Sequence, residues 1–217
     1  MVERQEVSQE YVRFRGGDVE LEGVMHAPDA GEHLPAVAVC HPHPLYNEDM
    51  NNNVVMAVCR GLGQAGIAAL RFNFRGVGGS GGSHEDGIGE QEDVLGALAW
   101  LERSARIDSQ RIGLAGYSFG TSVAFPVALR SQVVRALALV SPFLADSDWE
   151  QMKQYQTPRL FLCGSQDFLI STEQVVKRAE GLPGESRCEV IPGTDHFWWG
   201  YEGEIASRVT AFFANVL

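Results

Sequence analysis

Three residue types spaced along the chain can together do nucleophilic chemistry: Ser118, Asp167 and His196. A serine hydroxyl is too weak an acid to attack a carbonyl unaided. A histidine can take its proton, and an aspartate can hold the imidazole in the required tautomer and stabilise the imidazolium that forms. Asp146, Asp148 and Asp195 are the competing acids. Asp195 adjoins His196 and points poorly at its neighbour's ring, which suits it better to forming a turn.

Ser118 stands in Gly116-Tyr117-Ser118-Phe119-Gly120, after the apolar run Ile112 to Ala115 and before the helix-compatible segment Thr121 to Arg130. Strand, sharp turn and helix are the grammar of a nucleophile elbow. Glycines two before and two after the serine fit because a Cβ there would meet neighbouring backbone. The string alone decides little, since Gly78-Gly79-Ser80-Gly81-Gly82 repeats it in a glycine-rich loop with no helix behind it.

Acyl transfer at Ser118 also needs N–H donors for a tetrahedral oxyanion. The backbone N–H of Phe119 is one. The loop after Ala36 to Cys40, His41-Pro42-His43-Pro44-Leu45-Tyr46, is expected to supply the second, and because proline has no N–H the candidates are His43, Leu45 and Tyr46, with the main chain of His43 preferred. His41 and His43 alternate on an extended chain and lack further ligands, so no metal is expected, and His41 reads as a structural histidine bonded to loop backbone. Gly76-Val77-Gly78-Gly79-Ser80-Gly81 fits a dinucleotide fingerprint in letters only, because the next helix opens near Glu90 and not on the glycines. No cofactor is expected. The stretch Gly76 to Gly89 reads as a flexible loop bordering the site.

The elements that must carry these residues alternate. Tyr11 to Arg15 and Val19 to Met25, around Gly16-Gly17-Asp18, read as a hairpin, followed by a loop at Ala27 to Gly31. Buried-strand runs follow at Ala36 to Cys40, Ile67 to Phe74, Ile112 to Tyr117, Ala136 to Val140, Arg159 to Cys163 and Arg187 to Ile191. Helical spacing marks Asn53 to Gln64, Glu90 to Arg103, Thr172 to Glu180 and a closing helix with Ile205, Val209, Phe212 and Phe213. The expectation is an α/β fold, a mostly parallel sheet of about eight strands with helices on both faces. Ligands of such sheets bind beyond the carboxyl ends of the strands, and Ser118, Asp167 and His196 each follow one.

At 217 residues, 45% hydrophobic and 21% charged, the chain is expected to form one domain, 1–217. A net charge of -11 argues against nucleic acid or an anionic membrane as partner, leaving a small-molecule substrate. The N-terminus, Met1 to Glu6, is charged and has no signal-peptide apolar core, and no run reaches transmembrane length, so a cytoplasmic location is expected. Cys40, Cys59, Cys163 and Cys188 form no C-x-x-C pair and read as buried free thiols.

Gly116 to Gly120, the loop Phe74-Arg75-Gly76-Val77-Gly78-Gly79-Ser80 and Gly193-Thr194-Asp195-His196-Phe197 together resemble the α/β-hydrolase superfamily over nearly the whole chain, and within it the small cap-less members related to dienelactone hydrolase. His41-Pro42-His43-Pro44 is similar to a motif of a bacterial subgroup of predicted hydrolases. Paired glycines tend to follow that motif, whereas Asn47-Glu48-Asp49 stands here and adds bulk and negative charge. The resemblance implies a serine hydrolase of the esterase type, acting on small esters, thioesters or lactones through an acyl-enzyme at Ser118. A non-catalytic binding protein on the same fold is the alternative that the two carboxylates motivate. The segment Ser141 to Pro158, where larger relatives carry a cap, is short, implying an open site rimmed by Tyr46, Phe119, Phe143, Trp149, Phe168 and Phe197.

Overall fold

The computed structural model describes residues 6–29 and 31–217; the charged residues 1–5 and Ala30 of the post-hairpin loop lie outside the described residues. Val7–Gly16 (β1) and Val19–Pro28 (β2) pair antiparallel about a turn in which Gly17 takes φ 62°. Strands and helices then alternate as Leu34–Cys40 (β3), Asn53–Gln64 (α1), Ala68–Phe72 (β4), Gly89–Arg103 (α2) and Ile107–Tyr117 (β5). The second half continues Phe119–Arg130 (α3), Val134–Val140 (β6), Asp146–Met152 (α4), Arg159–Gly164 (β7), Thr172–Ala179 (α5), Ser186–Ile191 (β8) and Glu202–Val216 (α6).

The eight strands form one sheet in the order β1-β2-β4-β3-β5-β6-β7-β8. β2 meets β4 antiparallel, and β4, β3, β5, β6, β7 and β8 run parallel. Every residue of β4 is buried, because helices cover both faces. One core packs the sheet against α2, α3, α4 and α5, and the other packs it against α1 and α6. Between β6 and β7 the only inserted helix is α4, so there is no cap domain. β5 begins five residues before the apolar run that announces it. Its start, Asp108-Ser109-Gln110, is polar and follows a single pairing of Ile107 with Leu34, which hydropathy does not reveal. Cys40, Cys59 and Cys163 are buried free thiols as expected, and Cys188 is half-buried.

Two histidines are built into this frame in the neutral form. His26 Nε2 accepts from Arg71 Nε at 2.9 Å, and His41 Nε2 accepts from the Phe74 N–H at 3.1 Å while its Nδ1 meets the Pro42 carbonyl at 2.7 Å. Burial, helped at His26 by the Arg71 charge, pushes both down to about 4. The unfolded chain takes up these protons near pH 6.5, so the stability they lend is whole above that pH and is lost as pH falls toward about 4. The unfolding free energy from urea titrations between pH 7.5 and 4.5 should therefore fall by about 1.4 kcal/mol per pH unit for each histidine below pH 6.5, at constant m-value.

Candidate active site

β5 delivers Ser118 to the turn before α3, at φ 52° and ψ -120°. Side chains rarely adopt that region, and holding one there costs about 1–3 kcal/mol. The surroundings supply the restraint. The Ser118 N–H donates to the Val140 carbonyl at 3.0 Å, carrying the β5–β6 ladder one residue further, and the Ser118 carbonyl accepts from the Thr121 N–H at 2.8 Å and the Thr121 hydroxyl at 2.6 Å. A Cβ on Gly116 would lie 2.5 Å from the Gly120 carbonyl oxygen, and one on Gly120 would lie 2.5 Å from that of Cys40. The glycines thus let the first turn of α3 rest directly on β5 and the end of β3. The other serine of this pattern, Ser80, is buried, donates to the Asn73 carbonyl at 2.8 Å and accepts from the Glu22 N–H at 3.1 Å, a structural role.

The chain ends of β7 and β8 bring in the partners. Ser118 Oγ lies 3.0 Å from His196 Nε2, and His196 Nδ1 lies 2.9 Å from Asp167 Oδ2. The other Asp167 oxygen accepts from the N–H groups of Leu169 at 3.0 Å and Ile170 at 2.9 Å. Burial alone would push the Asp167 carboxyl up, but the bonds from His196 and Ile170, the His196 charge and the Ser141 hydroxyl together hold it below the usual range. Asp195 is turned away, its Oδ1 accepting from the N–H groups of Phe197 and Trp198 at 2.9 and 3.2 Å as a turn former does. Asp146 pairs with Arg178 at 2.7 Å, and Asp148 Oδ2 caps the Ala145 N–H at 2.9 Å. A serine, a histidine and an aspartate are therefore aligned in hydrogen-bond contact, an arrangement able to move a proton off a serine.

Residue type alone does not reveal two supporting contacts. The Tyr117 hydroxyl donates to the His196 carbonyl at 2.7 Å, tying the histidine loop to the strand that carries the serine. The indole N–H of the buried Trp198 donates to Ser141 Oγ at 3.1 Å, just beyond β6.

The N–H groups of the loop after β3 and of the start of α3 are sorted by their partners. The Leu45 N–H donates to His43 Nδ1 at 3.3 Å and the Tyr46 N–H to the His43 carbonyl at 3.1 Å. Among the described residues the N–H groups of Phe119 and His43 make no hydrogen bond. These are the two donors expected for an oxyanion. The His43 ring lies 4.6 Å from that of Phe119, which brings their loops together. Asn47 takes the left-handed φ of 59° at the end of the short 3-10 turn Pro44–Tyr46, a conformation open to asparagine and glycine. The Glu48 carboxylate accepts from the Asn52 side chain at 2.7 Å and Asp49 from the Asn51 N–H at 2.6 Å, so both charges are engaged with the lead-in to α1.

The rim differs from expectation in two places. Trp149 is buried, stacked on Phe161 with ring centroids 5.3 Å apart, because the apolar flank of α4 faces the core; it is not a rim residue. The Phe119 ring is also buried, against His43, Phe74 and His84, and forms floor instead of rim. Tyr46, Phe143, Phe168 and Phe197 are exposed, with Phe197 5.7 Å from the His196 ring and 5.9 Å from Phe168. The loop after β4 is less free than its glycines suggest. Gly79 donates to Glu22 at 2.7 Å, and the far end brings His84 to 5.7 Å from Phe119. A groove of about 550 Å³ between α4 and α5, lined by Trp149, Lys153 and Arg178, contains none of the three aligned residues. Among the described residues no group of three or more potential ligands could hold a metal ion, and no helix is long and apolar enough to cross a membrane.

Known proteins share this architecture. Residues 16–186 match the family described as X-Pro dipeptidyl-peptidase (S15 family). An uncharacterized protein of Rickettsia prowazekii is 31% identical over 213 residues, covering 94% of this chain and 89% of its own. An α/β serine hydrolase homologue from Coxiella burnetii superposes with a TM-score of 0.84 at 33% identity, over 93% of this chain and 96% of its own. An α/β serine hydrolase without a lid from Xanthomonas campestris superposes with a TM-score of 0.83 at 26% identity, over 97% and 95%.

Proposed function

Since the chain belongs to the S15 family and to the cap-less α/β-hydrolases, we propose that it is a serine hydrolase of the esterase type, in which Ser118 attacks a carboxyl ester, thioester or lactone. The observation that carries the reading is the unbroken run of contacts Ser118 Oγ to His196 Nε2 and His196 Nδ1 to Asp167 Oδ2, at 3.0 and 2.9 Å.

In the first half-reaction the Ser118 hydroxyl proton passes to His196 Nε2 as Oγ bonds to the carbonyl carbon. The tetrahedral oxyanion lies against the N–H groups of Phe119 and His43, and His196 then returns the proton to the departing alcohol, thiol or alkoxide. In the second, His196 deprotonates a water that attacks the acyl-enzyme, and the acid is released. Phe143, Phe168, Phe197 and Tyr46 contact the acyl or leaving group. Ester hydrolysis is preferred to the family's peptide cleavage because among the described residues no segment over the site encloses a peptide, and α4 is the whole of the insertion where a cap would stand. A purely binding role loses its motive once Glu48 and Asp49 are bonded to asparagines and leave the oxyanion donors open.

The test sets p-nitrophenyl acetate and butyrate, an acyl thioester and a lactone beside Ala-Pro p-nitroanilide, with fluorophosphonate labelling located by peptide mass spectrometry. Ester turnover and a label on Ser118 are expected. Turnover of the anilide alone would move the assignment to dipeptidyl peptidase, and absence of both label and turnover would return it to a binding protein.

A further inference from the structure

Apolar side chains exposed to water are scattered singly on most proteins, and here they are not. Of the large hydrophobic residues that stand out from the surface, Leu45, Tyr46, Ile88, Phe143, Phe168, Leu169, Phe197 and Trp199 all lie in loops at the carboxyl end of the parallel strands, the end that carries Ser118. Among the described residues only Tyr11 and Val190 lie elsewhere. Leu45 and Tyr46 follow β3, Ile88 precedes α2, Phe143 follows β6, Phe168 and Leu169 follow β7, and Phe197 and Trp199 follow β8. Ile88 adjoins Gly87, whose added Cβ would touch the Phe119 ring at 3.6 Å, and Phe197 touches His196, so the collar closes on the serine from both sides.

Its breadth distinguishes a bound molecule from a surface. From β4 to β8 the sheet takes five steps, roughly 24 Å at about 4.8 Å per step. A small ester spans a fraction of that. The five exposed aromatics, of which Phe168 and Phe197 lie with ring centroids 5.9 Å apart, together present roughly 600 Å² of apolar surface at this end. With no cap to cover it, this patch stays in water. The charges of the loops at this end are mostly acidic, among them Glu48, Asp49, Glu85 and Asp86, the last with its side chain 94% exposed. Together with the net charge of -11 they repel an anionic surface and tolerate an uncharged one.

The geometry points to a docking collar: resting on the serine-hydrolase reading, the enzyme takes apolar-tailed, uncharged esters from the surface of a neutral aggregate such as a micelle or zwitterionic bilayer, with the collar seated on that surface and Ser118 at its centre. The charge argument made from the sequence excludes anionic membranes and leaves this neutral surface open. Small soluble esters reach the same serine without using the collar.

The double variant Ile88→Ser/Trp199→Ser removes two collar residues that are 75% and 70% exposed and lie outside the aligned site. Wild type and variant are compared on p-nitrophenyl acetate in water, on p-nitrophenyl laurate carried in phosphatidylcholine vesicles and on the same ester in phosphatidylglycerol vesicles, with vesicle flotation as a readout that needs no turnover. Wild type should float with phosphatidylcholine and much less with phosphatidylglycerol at low salt. The variant should keep its acetate rate within about twofold and lose about tenfold or more of flotation and vesicle-borne rate. Equal flotation of the two proteins overturns the inference. So does a wild type that runs as a dimer, with a monomeric variant, because the collar would then be a contact between two copies. Flotation as expected without any acetate turnover leaves the docking collar standing and overturns the hydrolase reading instead.

Discussion

Ser118→Ala should lower kcat for p-nitrophenyl acetate by about 10⁶-fold, the loss seen when the nucleophile of a serine triad is removed. The size follows from what alanine leaves behind. His196 keeps its bond to Asp167 but has no hydroxyl to deprotonate, and no acyl-enzyme can form, so the reaction falls back on direct attack by water. It should not fall to the uncatalysed rate: a residual acceleration of about 10³–10⁴ over water is expected if the N–H groups of Phe119 and His43 still receive the oxyanion. The folded state should be little changed, since the Ser118 main-chain bonds to Val140 and Thr121 do not involve the hydroxyl. Steady-state rates, fluorophosphonate labelling and thermal melting of the two proteins provide the check; labelling of Ser118→Ala equal to wild type would remove Ser118 from the mechanism.

The second large effect is at the acid. In Asp167→Asn the side-chain oxygen must remain at the position that accepts the Leu169 and Ile170 N–H groups, because two backbone donors meet there. The amide nitrogen then takes the place of Oδ2 and donates to His196 Nδ1. That forces the imidazole proton onto Nε2, where it faces Ser118 Oγ and cannot accept a proton from it. A fall in kcat of about 10⁴-fold at neutral pH is expected, with the fold intact. The acidic limb behaves differently from the buried histidines. Because the folded carboxyl of Asp167 is held below its unfolded range, the stability it lends is present above that range and lost only as pH falls through the lower folded value. An unchanged kcat would transfer the orienting role to Asp146, Asp148 or Asp195, each of which is engaged elsewhere.

The serine elbow and the order of its partners were legible because each rests on local grammar: an apolar run, a glycine-flanked serine, and polar residues directly after strands. Asp167 could be preferred to Asp195 on the same ground, since a residue beside the histidine serves its own turn. His41 was legible as a structural residue, and its ring is bonded to the Pro42 carbonyl and the Phe74 N–H. The burial of Trp149 is not legible because a short helix gives too few turns to show which face is apolar, and it is decided by Phe161 on the next strand. The hydroxyl of Tyr117 could not be paired with the His196 carbonyl in advance, since the contact joins the ends of β5 and β8, which are not neighbours in the sheet. The exposure of Ile88, Leu169 and Trp199 is illegible for a related reason. An isolated apolar residue in a loop reads the same whether it points inward or outward, and only the assembled sheet edge shows them in one ring.

The contact of Gly120 with the Cys40 and His41 carbonyls, where an added Cβ would stand 2.5 and 2.7 Å away, has a meaning for how such enzymes diverge. It is main chain against main chain, one residue after Phe119 and two before His43, so it limits how closely the two segments proposed to hold the oxyanion approach. A scaffold held in this way can exchange the side chains of its surrounding loops while Gly120 keeps α3 seated on the end of β3.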